Sequence, residues 1–345
     1  MRVTLRDVAQ AAGVSPATAS RALSAPDLVA PDRREHVVRV ARELGYRPHR
    51  AARELATGRT GQLCLVVPDL ANPFFAGVAK GVQSRARDLG LAVVVADGDE
   101  DARLEAELVD QLAAQVDGVI FCSPRMPDED LADAVRVRRS VLVNRDLPAD
   151  ATTRAAVGTD DSTSPDASVP TVAIDAAGGV EQAVEHLVAL GHRTVAYAGG
   201  PASSWSDARR HEGLRRAVAR HAPSGLEVED LGHFAPTFDG GGAAGDLVLA
   251  RGATAVIAHN DMVALGLVDR LRRRGVDVPG DVSVVGFDDT PSARIVWPPL
   301  TTVSVPLARL GRAAVDALLD DGPTHHTQLD VALVVRGSTA PPPAR

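Results

Sequence analysis

Residues 3–23, VTLRDVAQAAGVSPATASRAL, predict two short helices joined by a tight turn. Thr4 is a good N-cap for the first helix, whose apolar residues recur at helical spacing. Gly13 supplies the turn, and Ser15 followed by Pro16 opens the second helix, because proline is tolerated at the first helical position. A third helix is predicted over residues 31–44, packing through Val37, Val38, Val40, Ala41 and Leu44. This order of elements predicts a small all-α helix-turn-helix head.

The second helix has small side chains on the face that is not predicted to pack. Ala19, Ala22 and Leu23 are expected to point inward. Helices with such small outward side chains can lie deep in a DNA major groove, where Arg21 can hydrogen bond to guanine or bind a phosphate. The candidate DNA-contacting residues of the head are therefore Thr4, Ser15, Pro16, Ala17, Thr18, Ser20 and Arg21.

Charge is unevenly distributed along the chain. Residues 1–60 contain eleven arginines and six acidic residues, a net charge of +5, whereas the remainder carries −13 and the whole chain −8. A basic segment attached to an acidic protein is expected where only that segment meets phosphate. Charge alone leaves open a basic tail that has no partner.

Composition and motifs exclude several classes of protein. The 345 residues predict two to three domains. No apolar run approaches the about 18 residues of a membrane helix, and the N-terminus lacks the apolar core of a signal peptide, so we expect a cytoplasmic protein without membrane contact. Cys64 and Cys122 lie in apolar runs and are predicted to be buried, reduced thiols. No serine elbow, phosphate loop, metal-ligand spacing or catalytic carboxylate pair stands out, so we expect no enzyme activity, cofactor or metal.

From residue 63 onward, β runs alternate with amphipathic helical stretches. Strands are predicted at 63–67, 91–96, 118–122, 140–144, 171–174, 194–199, 254–258 and 282–287. This alternation indicates parallel sheets covered by helices on both faces. Because the pattern restarts after about residue 170, we expect an α/β body of two doubly wound lobes with a cleft between them. Ligands of such sheets bind beyond the carboxyl ends of the strands, and polar residues at these ends include Asp69, Asn144, Arg145, Asn260 and Asp261.

Two further stretches, ELGYRP at 43–48 and AARELATGRT at 51–60, follow the helix pair. Together with residues 3–23 they resemble the head and hinge of the lac repressor family of bacterial transcription regulators. The resemblance implies hinge helices that fold on the minor groove, where a leucine wedges into the central base step. By position that leucine is Leu55, with Ala52 and Arg53 beside it. Ser24, His49 and Glu54 depart from the usual pattern, so we expect weaker or more salt-sensitive DNA binding.

The remainder of the chain resembles the effector domain of the same family, through stretches such as VPDLANPFF, VNRD, RHEGL and AHNDMVALG. The resemblance implies two lobes of periplasmic-binding-protein type, and it implies effector contacts from Phe74, Phe75, Asn144, Arg145, Arg210, Phe234 and Asp261, with Asp69 and Asn260 as neighbours. Each has a simpler interpretation: core packing for the two phenylalanines, a surface position for Arg210 and a helix N-cap for Asp261.

These inferences divide the chain into a DNA-binding domain at 1–47, a hinge and linker at 48–60, and an effector-binding and dimerisation domain at 61–340. The first lobe is expected at about 61–170 plus 304–325, and the second at about 171–303 plus 326–340. The resemblance breaks at 150–169, a polar stretch without periodicity that we interpret as a surface loop. A cap over the cleft is the alternative interpretation of this stretch.

The residues and the resemblance together predict a cytoplasmic, nucleoid-associated transcription regulator that acts as a repressor. It is expected to bind a near-palindromic double-stranded DNA operator as a homodimer. The small-molecule effector is expected to be a carbohydrate, with a purine or another metabolite as the alternatives. The sequence leaves open whether the effector acts as an inducer or as a corepressor. The alternative from another class is a two-lobed solute-binding protein of a transport system, which would need an export signal and no helix-turn-helix.

Overall fold

The computed structural model describes residues 3–24, 29–46, 59–148, 169–322 and 326–344. The chain forms two compact units, one of Met1–Gly61 with Gln115–Asp117 and one of Gln62–Ala114 with Gly118–Arg345. We refer to them as the head unit and the body unit. None of the helices within the described residues is long and apolar enough to cross a membrane.

The head unit contains the predicted helices α1 (Leu5–Ala11), α2 (Pro16–Ser24) and α3 (Pro31–Glu43). Thr4 and Asp7 form a complete capping box, in which each residue's side chain accepts a hydrogen bond from the other's backbone N–H. Gly13 has a left-handed φ of 63°, as the turn requires. A small core of alanines and valines joins the three helices. The predicted packing of Leu44 is wrong: this residue follows the last turn of α3 and is 38% exposed.

The body unit contains two six-stranded sheets. Its strands are β1 (Gln62–Val67), β2 (Ala92–Asp97), β3 (Gly118–Cys122), β4 (Ser140–Val143), β5 (Thr171–Ile174), β6 (Thr194–Gly199), β7 (Glu227–His233), β8 (Ala255–Ala258), β9 (Ser283–Asp288), β10 (Thr301–Ser304), β11 (His326–Leu329) and β12 (Ala332–Val334). The first sheet has the order β11-β5-β4-β3-β1-β2 and the second the order β12-β10-β9-β8-β6-β7. The strands pair in parallel except at β10 and β12, which are antiparallel. The prediction of two doubly wound lobes is confirmed.

Helices cover both sheets of the body unit. They are α4 (Pro73–Asp88), α5 (Ala102–Leu112), α6 (Asp128–Val137), α7 (Ala176–Leu190), α8 (Trp205–His221), α9 (Phe238–Arg251), α10 (Asp261–Arg273), α11 (Pro291–Ile295) and α12 (Leu307–Leu319), with 3₁₀ turns at Ala113–Gln115 and Ala222–Ser224. Helix α12 packs against α4 and the strands of the first sheet, although it follows the second lobe in sequence. Cys64 and Cys122 are buried in the first lobe, where burial raises the pKa of their thiols to about 11 and about 12.

Two strands belong to the first lobe, although their residues were predicted to belong to the second. Strands β5 and β11 were assigned to the second lobe, but β5 pairs with β4, and β11 pairs with β5, in the first sheet. The chain changes lobe only after the buried strand β5 is complete, so the predicted boundary near residue 170 falls one strand too early. The chain therefore crosses between the lobes three times, after β5, after β10 and after β11. These crossings bring the carboxyl ends of strands from both sheets to one cleft.

Candidate functional site

The outward surface of α1 and α2 carries the residues predicted to contact DNA. Thr4, Pro16, Ala17 and Arg21 are exposed, and Thr18 and Ser20 are half-buried. Ser15 caps α2, since its Oγ accepts a hydrogen bond of 3.1 Å from the backbone N–H of Thr18. The inward face is buried as predicted, with Ala19 and Ala22 in the head core. These positions form a helix surface of small side chains, with the positive charge of Arg21 among them. Their contacts with DNA remain a prediction.

The hinge residues Ala52, Arg53 and Leu55 lie outside the described residues. The same is true of most of the polar stretch predicted as a loop at 150–169, of which residues 150–168 are not described.

A small cavity lies between the two lobes of the body unit, at the carboxyl ends of their strands. Its volume of about 30 Å³ leaves room for only a water or two. The first lobe lines it with Asn72, Phe74, Phe75, Ser123, Arg125, Asn144 and Ile174, and the second with Ser204, Ser206, Arg210, Pro236, His259, Asn260 and Asp288. Polar side chains of both lobes thus converge on a narrow space between them.

Arg210, on α8, is a buried cation that its surroundings do not satisfy. The residue is 4% exposed, and its guanidinium stacks over the ring of Phe287 at 4.0 Å from the ring centroid. Neither Nε nor Nη1 has a hydrogen-bond partner within the part of the chain that the structure describes. An unpaired charged donor in the interior costs free energy, so such a group in a cavity wall indicates a place where a ligand supplies the missing acceptors.

Asp288, at the end of β9, is the buried carboxylate that faces the same cavity. It is 3% exposed, and no described residue hydrogen bonds to its side chain. Burial raises the pKa of Asp288 well above its ordinary value, Asp261 adds to this, and Arg210 opposes it. The backbone at Asp288 has a φ of 115°, which is a strained conformation for a residue with a side chain. Strain of this kind concentrates at ligand sites, which is consistent with the position of Asp288.

Arg125, in contrast, is a cavity-lining arginine whose donors are satisfied. Its Nε and Nη2 donate to Glu100 at 2.6 and 2.9 Å, and Nη1 donates to the Ser123 carbonyl at 2.9 Å. Glu105, fully buried beneath this loop, accepts the backbone N–H of Arg125 at 2.7 Å. The first lobe therefore contributes a neutralised ion pair to the cavity, whereas the second contributes an arginine and a carboxylate that are both unpaired.

Five of the nine predicted effector residues line the cavity: Phe74, Phe75, Asn144, Arg210 and Asn260. Phe74 and Phe75 meet edge to face, with ring centroids 5.1 Å apart. Asn144 holds β5 through its Oδ1, which accepts the Ile174 N–H at 3.0 Å. Asn260 caps α10 through Oδ1 and donates from Nδ2 to the Pro236 carbonyl at 3.0 Å, so most of its hydrogen-bonding capacity is already used.

The other four predicted residues do not line this cavity, and their contacts with an effector remain a prediction. Asp261 is fully buried; its carboxylate accepts hydrogen bonds from Thr290 and Thr302 at 2.6–3.0 Å and ties α10 to the neighbouring strand ends. Phe234 packs against the second-lobe core. Asp69 accepts the backbone N–H of Ala71 in its own loop.

Arg145 is the fourth of these residues, and it lines a different pocket. Its Nη2 donates to Asp128 at 2.5 Å, while its Nε has no partner among the described residues. The second pocket has a volume of about 420 Å³ and is also lined by Trp205, Arg209, Arg216 and His326. Arg209 and Arg216 both pair with Glu212 there.

Several residues that the structure brings to the cavity were not named as effector contacts. Ser123 and Asp288 follow β3 and end β9, and strand-end positions such as theirs were expected to face the cleft. His259 also follows a strand, β8, and directly precedes the predicted Asn260. Nothing in the sequence marked Arg125, because its partner Glu100 lies 25 residues away.

Comparison with known proteins agrees with this architecture. Residues 4–49 match the family described as "Bacterial regulatory proteins, lacI family", and residues 184–339 match "Periplasmic binding protein-like domain". The HTH-type transcriptional regulator reg1 of Streptomyces lividans is 37% identical over 354 residues, which cover 99% of this chain and 98% of that protein.

Solved structures give the same result. The lac repressor dimer bound to operator and the anti-inducer ONPF matches with a TM-score of 0.80 at 29% identity, covering 99% of this chain and 100% of that one. The complex of the transcriptional regulator CelR with cellobiose matches with a TM-score of 0.66 at 33% identity, covering 98% and 100%. The chain therefore belongs to the lacI family of bacterial regulatory proteins, which are transcription regulators and not enzymes.

Proposed function

We propose that this regulator is a repressor that binds its operator as a homodimer and responds to an uncharged, hydroxyl-rich effector, a carbohydrate, in the cleft between its lobes. The observation that carries the proposal is Arg210, a buried guanidinium with two unpaired donors beside the unpaired carboxylate of Asp288. A hydroxyl group can accept from Arg210 and donate to Asp288 at once, because it has one proton and two lone pairs.

The charges around the cavity favour a neutral ligand. Arg125 is already neutralised by Glu100, and the guanidinium of Arg210 favours the ionised form of Asp288, which would offset its charge. A phosphate or carboxylate would compete with Asp288 for the guanidinium of Arg210, the cavity-lining cation with unpaired donors. The complex of the relative CelR with cellobiose gives independent support, since its ligand is an uncharged sugar.

The small size of this space supports a coupling between effector binding and lobe position. A space of about 30 Å³ is too small for a sugar, so in this proposal the lobes part or rotate to accept one. The three crossings after β5, β10 and β11 are the segments about which this motion takes place. Since each ligand can shift the equilibrium only through its different affinity for the two arrangements, effector and operator affect each other's affinity reciprocally.

The head unit supplies the operator contacts in this proposal. Helix α2 enters the major groove with Thr18, Ser20 and Arg21, and two copies read two half-sites of a near-palindrome. The hinge residues Ala52, Arg53 and Leu55 contact the minor groove between the half-sites, with Leu55 as the wedge. The protein acts in the cytoplasm, at its operator. A solute-binding protein of a transport system, the alternative, would have no use for the helix-turn-helix.

Selection of bound duplexes from a random DNA pool by the purified protein tests the operator part of the proposal. We expect one near-palindrome with a flexible pyrimidine–purine step at its centre. The selected duplex is then titrated with protein in the presence of D-glucose, D-galactose, D-xylose, maltose or cellobiose, with glucose 6-phosphate, glucuronate and adenosine as charged and purine comparisons. A change in operator affinity caused by a neutral sugar supports the proposal. A response to adenosine or to the charged compounds alone would contradict it.

A further inference from the structure

We propose that His259 selects the effector by accepting a hydrogen bond through Nε2, and that the buried Asp207 is the positioning residue that holds His259 in this state. The inference rests on the effector cleft proposed above and assigns one of its specificity determinants. His259 follows β8, lines the cavity and is 6% exposed.

Asp207, on α8, fixes which nitrogen of His259 carries the proton. Its Oδ1 lies 2.9 Å from His259 Nδ1, 2.7 Å from the Tyr197 hydroxyl and 2.8 Å from the Gly200 backbone nitrogen. Burial raises the pKa of Asp207, but the hydrogen bonds from His259, Gly200 and Tyr197 outweigh it and hold the pKa far below its ordinary value. An ionised carboxylate only accepts hydrogen bonds, so Nδ1 must be the donor.

The imidazole of His259 is neutral at physiological pH. Burial lowers the pKa of His259 to about 4, the charges of Arg210 and Arg125 lower it as well, and Asp207 opposes them. His211 and His233 border the other oxygen of Asp207, with Nδ1 atoms 3.3 and 3.7 Å from Oδ2. A neutral imidazole has one proton, and that proton is on Nδ1. Nε2 therefore bears a lone pair and accepts.

The surroundings leave this lone pair without a partner at the edge of the cavity. No hydrogen bond to Nε2 is formed by any residue in the described ranges, and the ring is part of the cavity wall. Gly200 is needed beneath it, because a Cβ at that position would lie 2.4 Å from the ring atoms Cε1 and Nδ1. An effector with an O–H or N–H group opposite Nε2 gains a hydrogen bond, and an analogue without it leaves a buried acceptor unpaired.

The tautomer can be measured without any ligand. Long-range ¹H–¹⁵N NMR spectra of the histidine side chains at pH 7, compared between wild type and His259→Asn, identify the His259 resonances. We expect a protonated Nδ1 and an unprotonated Nε2. A protonated Nε2 would overturn the inference, whatever the effector is.

The ligand contact is tested with the neutral sugar that changes operator affinity and with its monodeoxy derivatives. In His259→Asn the amide can still donate to Asp207 but has no atom in the place of Nε2. For one hydroxyl position, we expect the deoxy derivative to bind wild type about ten-fold more weakly than the parent sugar does. In His259→Asn, the same deoxy derivative and the parent sugar should bind equally well. His186→Gln, outside the cavity, is the control and should match wild type at every position. Equal losses in wild type and His259→Asn at all positions would refute the contact.

The two proposals fail in different ways. If no neutral sugar alters operator affinity, the carbohydrate effector is wrong, while the NMR measurement still decides the state of His259. If a sugar acts but the deoxy series shows no coupling to His259, the effector site stands and this inference falls.

Discussion

Replacing Arg210 by methionine should make the ligand-free body unit more stable and, at the same time, insensitive to the effector. Most substitutions of a buried side chain destabilise a protein. Arg210 differs because its Nε and Nη1 are buried without partners among the described residues. These unpaired donors lower the stability of the folded state as long as no ligand supplies acceptors. Methionine has a similar length, fills the same space and carries no donor.

The magnitude follows from the contacts of the guanidinium. Two unpaired charged donors cost about 2–6 kcal/mol together. The substitution also loses the stacking of Arg210 over Phe287, at 4.0 Å from the ring centroid, of which a thioether recovers part. Asp288 loses its neighbouring cation, but a carboxyl whose pKa is already raised by burial can take up a proton. The net expectation is a gain of about 2 kcal/mol in the free energy of unfolding, or about 4–8 °C in Tm.

Urea and thermal denaturation of the ligand-free protein, together with effector titrations of the operator complex, measure both effects. Arg125→Met is the matched control, since Arg125 lines the same cavity but is paired with Glu100. Its loss leaves Glu100 without a counter-charge, and we expect a decrease of about 2 kcal/mol because Glu100 is partly exposed to solvent. If Arg210→Met proved less stable than wild type and kept its effector response, the reasoning about unpaired donors would be refuted.

Four further predictions concern the head, the hinge, the second lobe and pH. Arg21→Ala should weaken operator binding by about 10- to 100-fold, measured by fluorescence anisotropy; unchanged affinity would remove Arg21 from the interface. Leu55→Ala should lose specific binding and keep salt-sensitive nonspecific binding, and equal affinity for operator in both proteins would exclude the wedge. Asp261→Ala should lower the free energy of unfolding by about 2 kcal/mol or more, because Thr290 and Thr302 lose their acceptor, and the folded protein should bind its operator but lose its effector response; an unaltered response would place the pocket elsewhere. His259 has a folded pKa of about 4, below the about 6.5 of an unfolded chain, so stability is lost as pH falls through this window. Between pH 7 and pH 5, urea unfolding of wild type should show a loss of about 2 kcal/mol in the free energy of unfolding that His259→Asn does not show. Equal losses in both proteins would contradict the pKa shift.

Much of the fold was predictable because its central strands are uninterrupted apolar runs. GVIFC at 118–122 became β3 without a change of boundary. The strands that were missed lie at or near the sheet edges and are polar or short, such as β7, EVEDLGH, and β11, HTQL. These segments are strands because they pair with a neighbouring strand, and their own side chains do not show the pattern of a buried strand. The placement of β5 was wrong for a related reason, since nothing within TVAI indicates which sheet it joins.

The site was predictable only where one residue's position in its own element decides its role. Asn144 and Arg210 reach the cavity from a strand end and a helix face. The hydrogen bonds of Asp261 were not predictable because the threonines that donate to its carboxylate lie 29 and 41 residues away. His259 was missed because its role depends on Asp207, which is 52 residues away on another element. Such contacts exist only after folding, and a single sequence does not pair them.

The late strands β11 and β12 have a consequence for synthesis and breakdown of the chain. Each completes one edge of a sheet, and β11 joins β5 from about 150 residues further along the sequence. The three helices of the head come from one continuous stretch, so that unit can fold while the ribosome is still making the body. A chain cut or halted before α12 therefore retains a basic helix-turn-helix but has two incomplete lobes. Under the proposed function, such fragments would keep the helices that contact DNA but lack a complete effector cleft, so their removal would keep operator binding under the control of the effector.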